Sequence, residues 1–263
     1  MTTTTSSGDS EGNNSSKVWD LVLRTSLAIP GARVNREDFL RRELGKHFSA
    51  EQVKAAIESS PAAAGVPLVV ADLIATSCIN WHLAQVTSIS FLAGLPGGWW
   101  IAGTVPTDLA QFYWHVLNVI QKLAYLYGWP ELTDGNEVDD ETLLRLTLFV
   151  GVMVCAKGAN EAIITLSKSL TAQVIKRLPQ QALTKIGIYN VAKQVAKWIG
   201  ISMTKQTFAR WVSKIIPILG GVISGTVTFL SFKPMAILLK NHLRSLPLAT
   251  EPGKRENSAS RIA

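Results

Sequence analysis

The chain has 263 residues, of which 47% are hydrophobic and only 17% charged, against a charged share of about 25% in ordinary soluble domains. Its formal charge of +7 is unevenly placed: residues 1–156 hold 10 Lys and Arg against 16 Asp and Glu, whereas residues 157–263 hold 16 against 3. A basic, apolar half carrying tryptophans suits an anionic membrane surface or anionic partner. Nucleic acid is not expected, because the lysines are spread along apolar helices and no nucleic-acid module is legible.

Residues 1–16 are rich in Thr, Ser, Asn and Gly, without the basic and apolar regions of a secretory signal, and read as a disordered tail. Residues 17–248 read as one helical domain, and residues 249–263 as a second tail. The first helix is expected over Val18–Ala28, closed by Ile29-Pro30-Gly31. Asn35 reads as the N-cap of a short helix reaching Leu44, and Ser49 with Gln52 as a capping box for one ending near Ser59. Residues 73–121 carry a single formal charge, Asp108. By length this span crosses a bilayer twice, but Pro96, Gly97, Gly98 and Pro106 break it, which favours a buried core or a shallow insertion.

The clearest element is a helix over Thr107–Tyr127, ~30 Å long. Its polar residues Asp108, Gln111, His115, Asn118 and Lys122 form one narrow stripe on an otherwise apolar and aromatic cylinder. The stripe is either the single solvent-facing edge, which is the ordinary surface pattern, or an inward polar seam. Glu131–Glu141 is an acidic loop whose residue order does not match a calcium loop. Glu141–Leu178 reads as a long helix with candidate breaks at Gly151 or Gly158. Residues 185–199 form a basic amphipathic helix, with Ile186, Val191, Val195 and Trp198 on the apolar side and Lys185, Lys193 and Lys197 opposite. Another helix carries Trp211 and Lys214, and a final one over Thr228–Leu246 is interrupted at Pro234. No alternating strand pattern is present, so the class is all-α: a multi-helix bundle with two Gly/Pro-rich apolar hairpin segments.

Those segments resemble each other. One runs Pro96-Gly97-Gly98 to Gly103-Thr104-Val105, the other Pro217 to Gly220-Gly221 and Gly225-Thr226-Val227. The interval Gly221 to Gly225 keeps both glycines on one helix face, whereas Gly98 to Gly103 does not. Both therefore read as structural packing or insertion devices, the first as a bent connection.

Chemistry is sparsely signalled. There is no P-loop, nucleophile elbow or dinucleotide fingerprint. The four histidines are scattered, with no zinc spacing, so neither metal nor cofactor is expected. Cys78 and Cys155 read as reduced, buried thiols of a cytoplasmic protein. The weak catalytic candidates are Asp108 with His115, two turns apart on one helix face, and Glu161. Their plainer explanations are a first-turn acid after Pro106 and a helix ion pair with Lys157.

The ordered set Ser77-Cys78-Ile79-Asn80, Gly94-Leu95-Pro96-Gly97-Gly98, Pro106-Thr107-Asp108, Gln121-Lys122-Leu123-Ala124-Tyr125-Leu126-Tyr127-Gly128-Trp129-Pro130, Leu183-Thr184-Lys185 and Ile216-Pro217-Ile218-Leu219-Gly220-Gly221 resembles the EcsC family of bacterial proteins over roughly residues 20–246. The resemblance implies a helical, membrane-associated cytoplasmic protein, an accessory to a transporter or secretion system, and supplies no catalytic residue. The chain departs from some relatives, which place an acid after the second glycine motif where this sequence reads Thr226-Val227-Thr228-Phe229.

Two functional expectations follow. In the first, the protein is non-catalytic and lies on the inner face of the cell membrane. Lys185, Lys193, Lys197 and Lys214 then meet anionic headgroups or a membrane protein complex, with Trp198 and Trp211 at the interface. In the second, a soluble bundle holds a lipid-like ligand, with acid–base chemistry at Asp108 and His115.

Overall fold

A computed structural model describes residues 7–91, 107–133, 138–172, 187–202 and 224–250. The described residues hold helices and no strand: α1 (Ser7–Ala28), α2 (Arg36–Leu44), α3 (Ala50–Glu58), α4 (Leu68–Phe91), α5 (Thr107–Leu126), α6 (Asp140–Met153), α7 (Ala159–Ala172), α8 (Ile188–Ser202) and α9 (Ser224–Arg244), then a short 3-10 turn over Pro247–Ala249. Gly97, Gly98, Gly103, Gly220 and Gly221 of the doubled motif lie outside the described residues, as do Lys185, Trp211 and Lys214. Gly225 falls in the first turn of α9. No helix among the described residues is long and apolar enough to cross a membrane.

Local signals placed the early helices well. The Asn35 side chain accepts from Asp38 N, Ser49 accepts from Gln52 N, and Asp139 in the acidic loop accepts from Thr142 N to open α6. Each satisfies one amide that a helix start leaves unpaired. The N-terminal helix starts earlier than expected, at Ser7 within the stretch read as a tail. Proline does not end the last helix: Pro234 lies inside α9. A lost backbone bond there costs about 3 kcal/mol, which burial of Phe232, Met235, Leu239 and Leu243 offsets.

The α6–α7 break falls at residues 154–158, so Gly151 is not its cause. Gly151 sits inside α6, where a Cβ would stand 2.8 Å from Val195 and 2.9 Å from Ala159. Its missing side chain lets α7 and α8 approach the α6 backbone. The turn instead closes on Cys155, with φ of 54°, while Ala156 N bonds Gly151 O and Cys155 N bonds Val152 O. That is a Schellman closure with a cysteine where glycine is usual. Cys155 is exposed, contrary to the expectation of a buried thiol: an apolar neighbourhood in sequence does not bury a residue whose backbone turns outward.

Helix α5 is the central strut, packing against α1, α2, α4, α6 and α9. Val116, Leu117, Val119, Ile120, Leu123 and Ala124 along it are fully buried. Around it α1 packs along α8 and α4 along α9. Trp19 of α1 stands edge-on to Tyr113 and donates to Thr147 Oγ1 of α6 at 2.8 Å, so its indole is both packed and satisfied. Arg36, also buried, donates to the carbonyls of Ala56, Ile57 and Ser59 and to that of Trp129. Its fork caps the C-terminus of α3 and ties it to the segment leaving α5.

Candidate functional site

Where it is described, the polar stripe of α5 turns inward at His115 and Asn118, with Gln121 beside it completing a buried seam. Gln121 is 0% exposed, and His115 and Asn118 are nearly as buried. The α1–α2 connection covers the stripe and contributes backbone groups to it. Gln121 Oε1 accepts from Val34 N and Thr133 Oγ1, and its Nε2 donates to the carbonyls of Ala32 and Leu117. All four bonding directions of the amide are filled. Asn118 Nδ2 donates to Gly31 O, and Trp114 Nε1 to Pro30 O. This half of the stripe anchors a loop.

The other half is different. His115 meets His82 of α4, with their Nδ1 atoms 3.0 Å apart, and Lys122 Nζ stands 2.8 Å from His82 Nε2. Both rings are buried, at 3% and 0% exposure. An ammonium only donates, so Nε2 of His82 is the acceptor and its proton sits on Nδ1. That proton points to Nδ1 of His115, whose own proton is then on Nε2. The result is a directed chain from Lys122 through His82 to His115 across the α4–α5 interface. Trp81 and Trp114 wall it, at ring separations of 4.7 Å from His82 and His115 respectively.

The electrostatics agree with neutral rings. Burial, reinforced by the Lys122 charge, pushes His82 down to about 2 and His115 down to about 4. Lys122 is itself lowered by burial, with Arg42 acting in the same direction and Cys78 and Glu43 opposing. Cys78, one turn before His82 on α4, is pushed up to about 11 by burial, so it stands as a thiol and not a nucleophilic thiolate.

The weak candidate pair Asp108 and His115 is described only at its histidine. Asp108 lies in the first turn of α5, its side chain outside the described set, while His115 pairs across the interface with His82. Glu161 is exposed in the first turn of α7, and Lys157 lies in the preceding turn, so they do not share a helix face as an ordinary pair would. Helical spacing placed Lys122 on the stripe without marking it as a site residue, and His82, on another helix, lay beyond its reach. A signal for them exists: the dipeptide Trp-His occurs twice, at Trp81-His82 and Trp114-His115, and Lys122 lies two turns beyond His115 on the same stripe.

A second feature lies on the surface. On α8, Ile188, Ala192, Val195, Ala196 and Ile199 face inward, while Tyr189, Lys193, Gln194, Lys197 and Trp198 face outward. Trp198 therefore belongs to the lysine face and not the apolar one. It and Tyr189 are each 38% exposed, and Lys193 sits over the Tyr189 ring at 4.4 Å. Helix α1, packed along α8, adds the exposed side chains of Lys17, Val18 and Leu21. No family model, curated protein or solved structure matches this chain.

Proposed function

We propose that the protein is a non-catalytic, peripheral membrane protein that docks on anionic lipid through the outer face of α8, as an accessory to a membrane machine. The observation that carries this is the combination on one helix face of Lys193 and Lys197 with the half-exposed rings of Tyr189 and Trp198. Tyrosine and tryptophan favour the headgroup region, where one end of the ring is apolar and the other wet. Each lysine near an anionic surface contributes about 1 kcal/mol. In sequence, Glu161 is the only acid between Lys157 and Leu248, and in space Asp20 of α1 is the acid whose charge Lys193 feels. The ordered resemblance to the EcsC family supports the same reading, and with it a cytoplasmic, inner-face location.

Co-sedimentation with phosphatidylglycerol vesicles tests it. Binding is expected at low salt and release at high salt, with none to phosphatidylcholine vesicles. Replacing Lys193 and Lys197 by Gln should weaken binding by about 2 kcal/mol, roughly thirtyfold. Full recovery in the supernatant with anionic vesicles at low salt would sink the proposal.

A further inference from the structure

Two pairs of outer helices stand on opposite sides of the α5–α6 layer, α1 packed with α8 and α4 with α9. Tyr113 of α5 meets Trp19 of α1 on one side, whereas Phe112 meets Phe232 of α9 and His115 meets His82 of α4 on the other. A bilayer held by the α8 face therefore leaves the α4–α9 face turned away from it. We propose that this second face seats an acidic amphipathic helix of a partner protein, a proposal that rests on the α8 face being the one that lies on lipid.

Two contacts fix the register between α4 and α9. Lys240 Nζ donates to Thr76 Oγ1 at 3.1 Å, and Arg244 Nε donates to Asp72 Oδ2 at 2.6 Å. Numbers rise along one helix as they fall along the other, so the pair is antiparallel, with a shallow groove along its outer side. Helical spacing sets Val69 and Leu73 one turn apart on the outward side of α4, and Lys233, Ile237 and Lys240 in one row on the adjoining edge of α9. Val69 and Leu73 are 63% and 66% exposed, the highest values of any large apolar side chain among the described residues, and Ile237 is half-buried beside them. Apolar positions one turn apart on one side of a groove and a third across it match the stripe of an amphipathic helix.

Charge decides which occupant fits. Residues 224–250 contain no acid, and α4 contains one, Asp72, which is already held by Arg244 and by the Tyr127 hydroxyl. Lys240 bonds a neutral hydroxyl and Lys233 is exposed, so no carboxylate of these two helices meets either charge. A second copy of the chain would set this basic edge against itself, and like charges across an interface are costly. A helix with leucines at i, i+3 or i+4 and i+7 covers Val69, Leu73 and Ile237, while glutamates beside that stripe reach Lys233 and Lys240. Apolar burial then supplies the affinity, and charge the orientation and the choice of partner.

The test uses the full chain and a fluorescein-labelled synthetic helix of about five turns, its leucine stripe flanked by glutamates, with a control carrying lysines in their place. By fluorescence anisotropy at low salt, the glutamate helix should bind at least about tenfold tighter than the lysine helix. Lys233→Gln with Lys240→Gln should weaken that binding about tenfold, and Leu73→Asn at least as much. Lys193→Gln with Lys197→Gln should leave it unchanged. No preference for the glutamate helix overturns the proposal, and this comparison needs only the wild-type chain. Sedimentation with phosphatidylglycerol vesicles separates it from the α8 reading. Vesicle binding lost only in the α8 variant, with no preference between the two helices, overturns the acidic partner and leaves the α8 face standing. Vesicle binding lost only in Leu73→Asn makes the α4–α9 face the lipid face and overturns both. A dimer in analytical ultracentrifugation that Leu73→Asn dissolves assigns the face to a second copy and overturns the acidic partner alone.

Discussion

Acid should unfold this protein through its histidine pair before its carboxylates titrate. His82 and His115 are held neutral in the fold, down at about 2 and about 4, whereas in the unfolded chain each titrates near 6.5. The unfolded state therefore binds more protons at any pH between those limits, and stability is lost as pH falls through the unfolded value toward the folded ones. Between pH 7 and pH 5 each ring contributes a loss of about 2 kcal/mol at 1.36 kcal/mol per unit, so about 4 kcal/mol for the pair. His242, also lowered by burial, adds in the same direction. Asp20 and Glu141, raised by burial, act in the opposite sense, adding stability as pH falls from their raised folded values to the ordinary carboxylate range. Urea unfolding followed by tryptophan fluorescence at pH 7, 6 and 5 measures the slope, and the double variant His82→Leu with His115→Leu should lose most of it. A flat stability between pH 7 and pH 5 would refute the reasoning, as would His82 or His115 proton resonances in the folded protein that titrate near 6.5.

Three further outcomes test the frame around the site. Gly128 has φ of +88°, and a Cβ there would stand 2.5 Å from Leu248 O, so Gly128→Ala should cost about 2–4 kcal/mol in chemical denaturation. Cys155→Gly should instead stabilise by about 0.5–1 kcal/mol, because it relieves a left-handed residue whose side chain is exposed; a lower melting temperature would count against that account. Arg36→Ala should cost about 3–5 kcal/mol by thermal or urea melting, since four backbone carbonyls lose a charged donor. Arg36→Lys should recover less than half, lacking the fork.

Much of the helical frame was legible because its determinants are local. Asn35, Ser49 and the acids before α6 act within three residues of themselves, and the apolar cylinder of α5 announces a buried helix whatever it packs against. What was not legible depends on partners far along the chain. Whether Trp198 faces in or out turns on which side of α8 meets α1 and α6, and a helical wheel leaves a boundary tryptophan undecided. Pro234 and Cys155 broke local rules because tertiary burial, or a turn that must close, outweighed about 1–3 kcal/mol of backbone preference. The capping fork of Arg36 joins residues 20 to 93 positions apart, so neither α2 nor α3 alone foretells it.

The α5 stripe shows how one sequence pattern serves two physical purposes. A polar residue is tolerated in the interior only when its bonds are made. Gln121 and Asn118 meet that condition with backbone groups of residues 31–34, and so fix the α1–α2 connection. His115 meets it with another ionisable side chain, His82, which is in turn held by Lys122. Loop anchoring asks only for an amide with fixed donors and acceptors. A chain of two imidazoles and an amine adds groups that change protonation state, at the cost of the acid sensitivity worked out above. Hydrophobic side chains of similar volume at 82 and 115 would pack the α4–α5 interface without that cost. Stability therefore does not account for the cluster, whereas its one partly exposed member, Lys122 beside Trp81, is where the chain meets solvent.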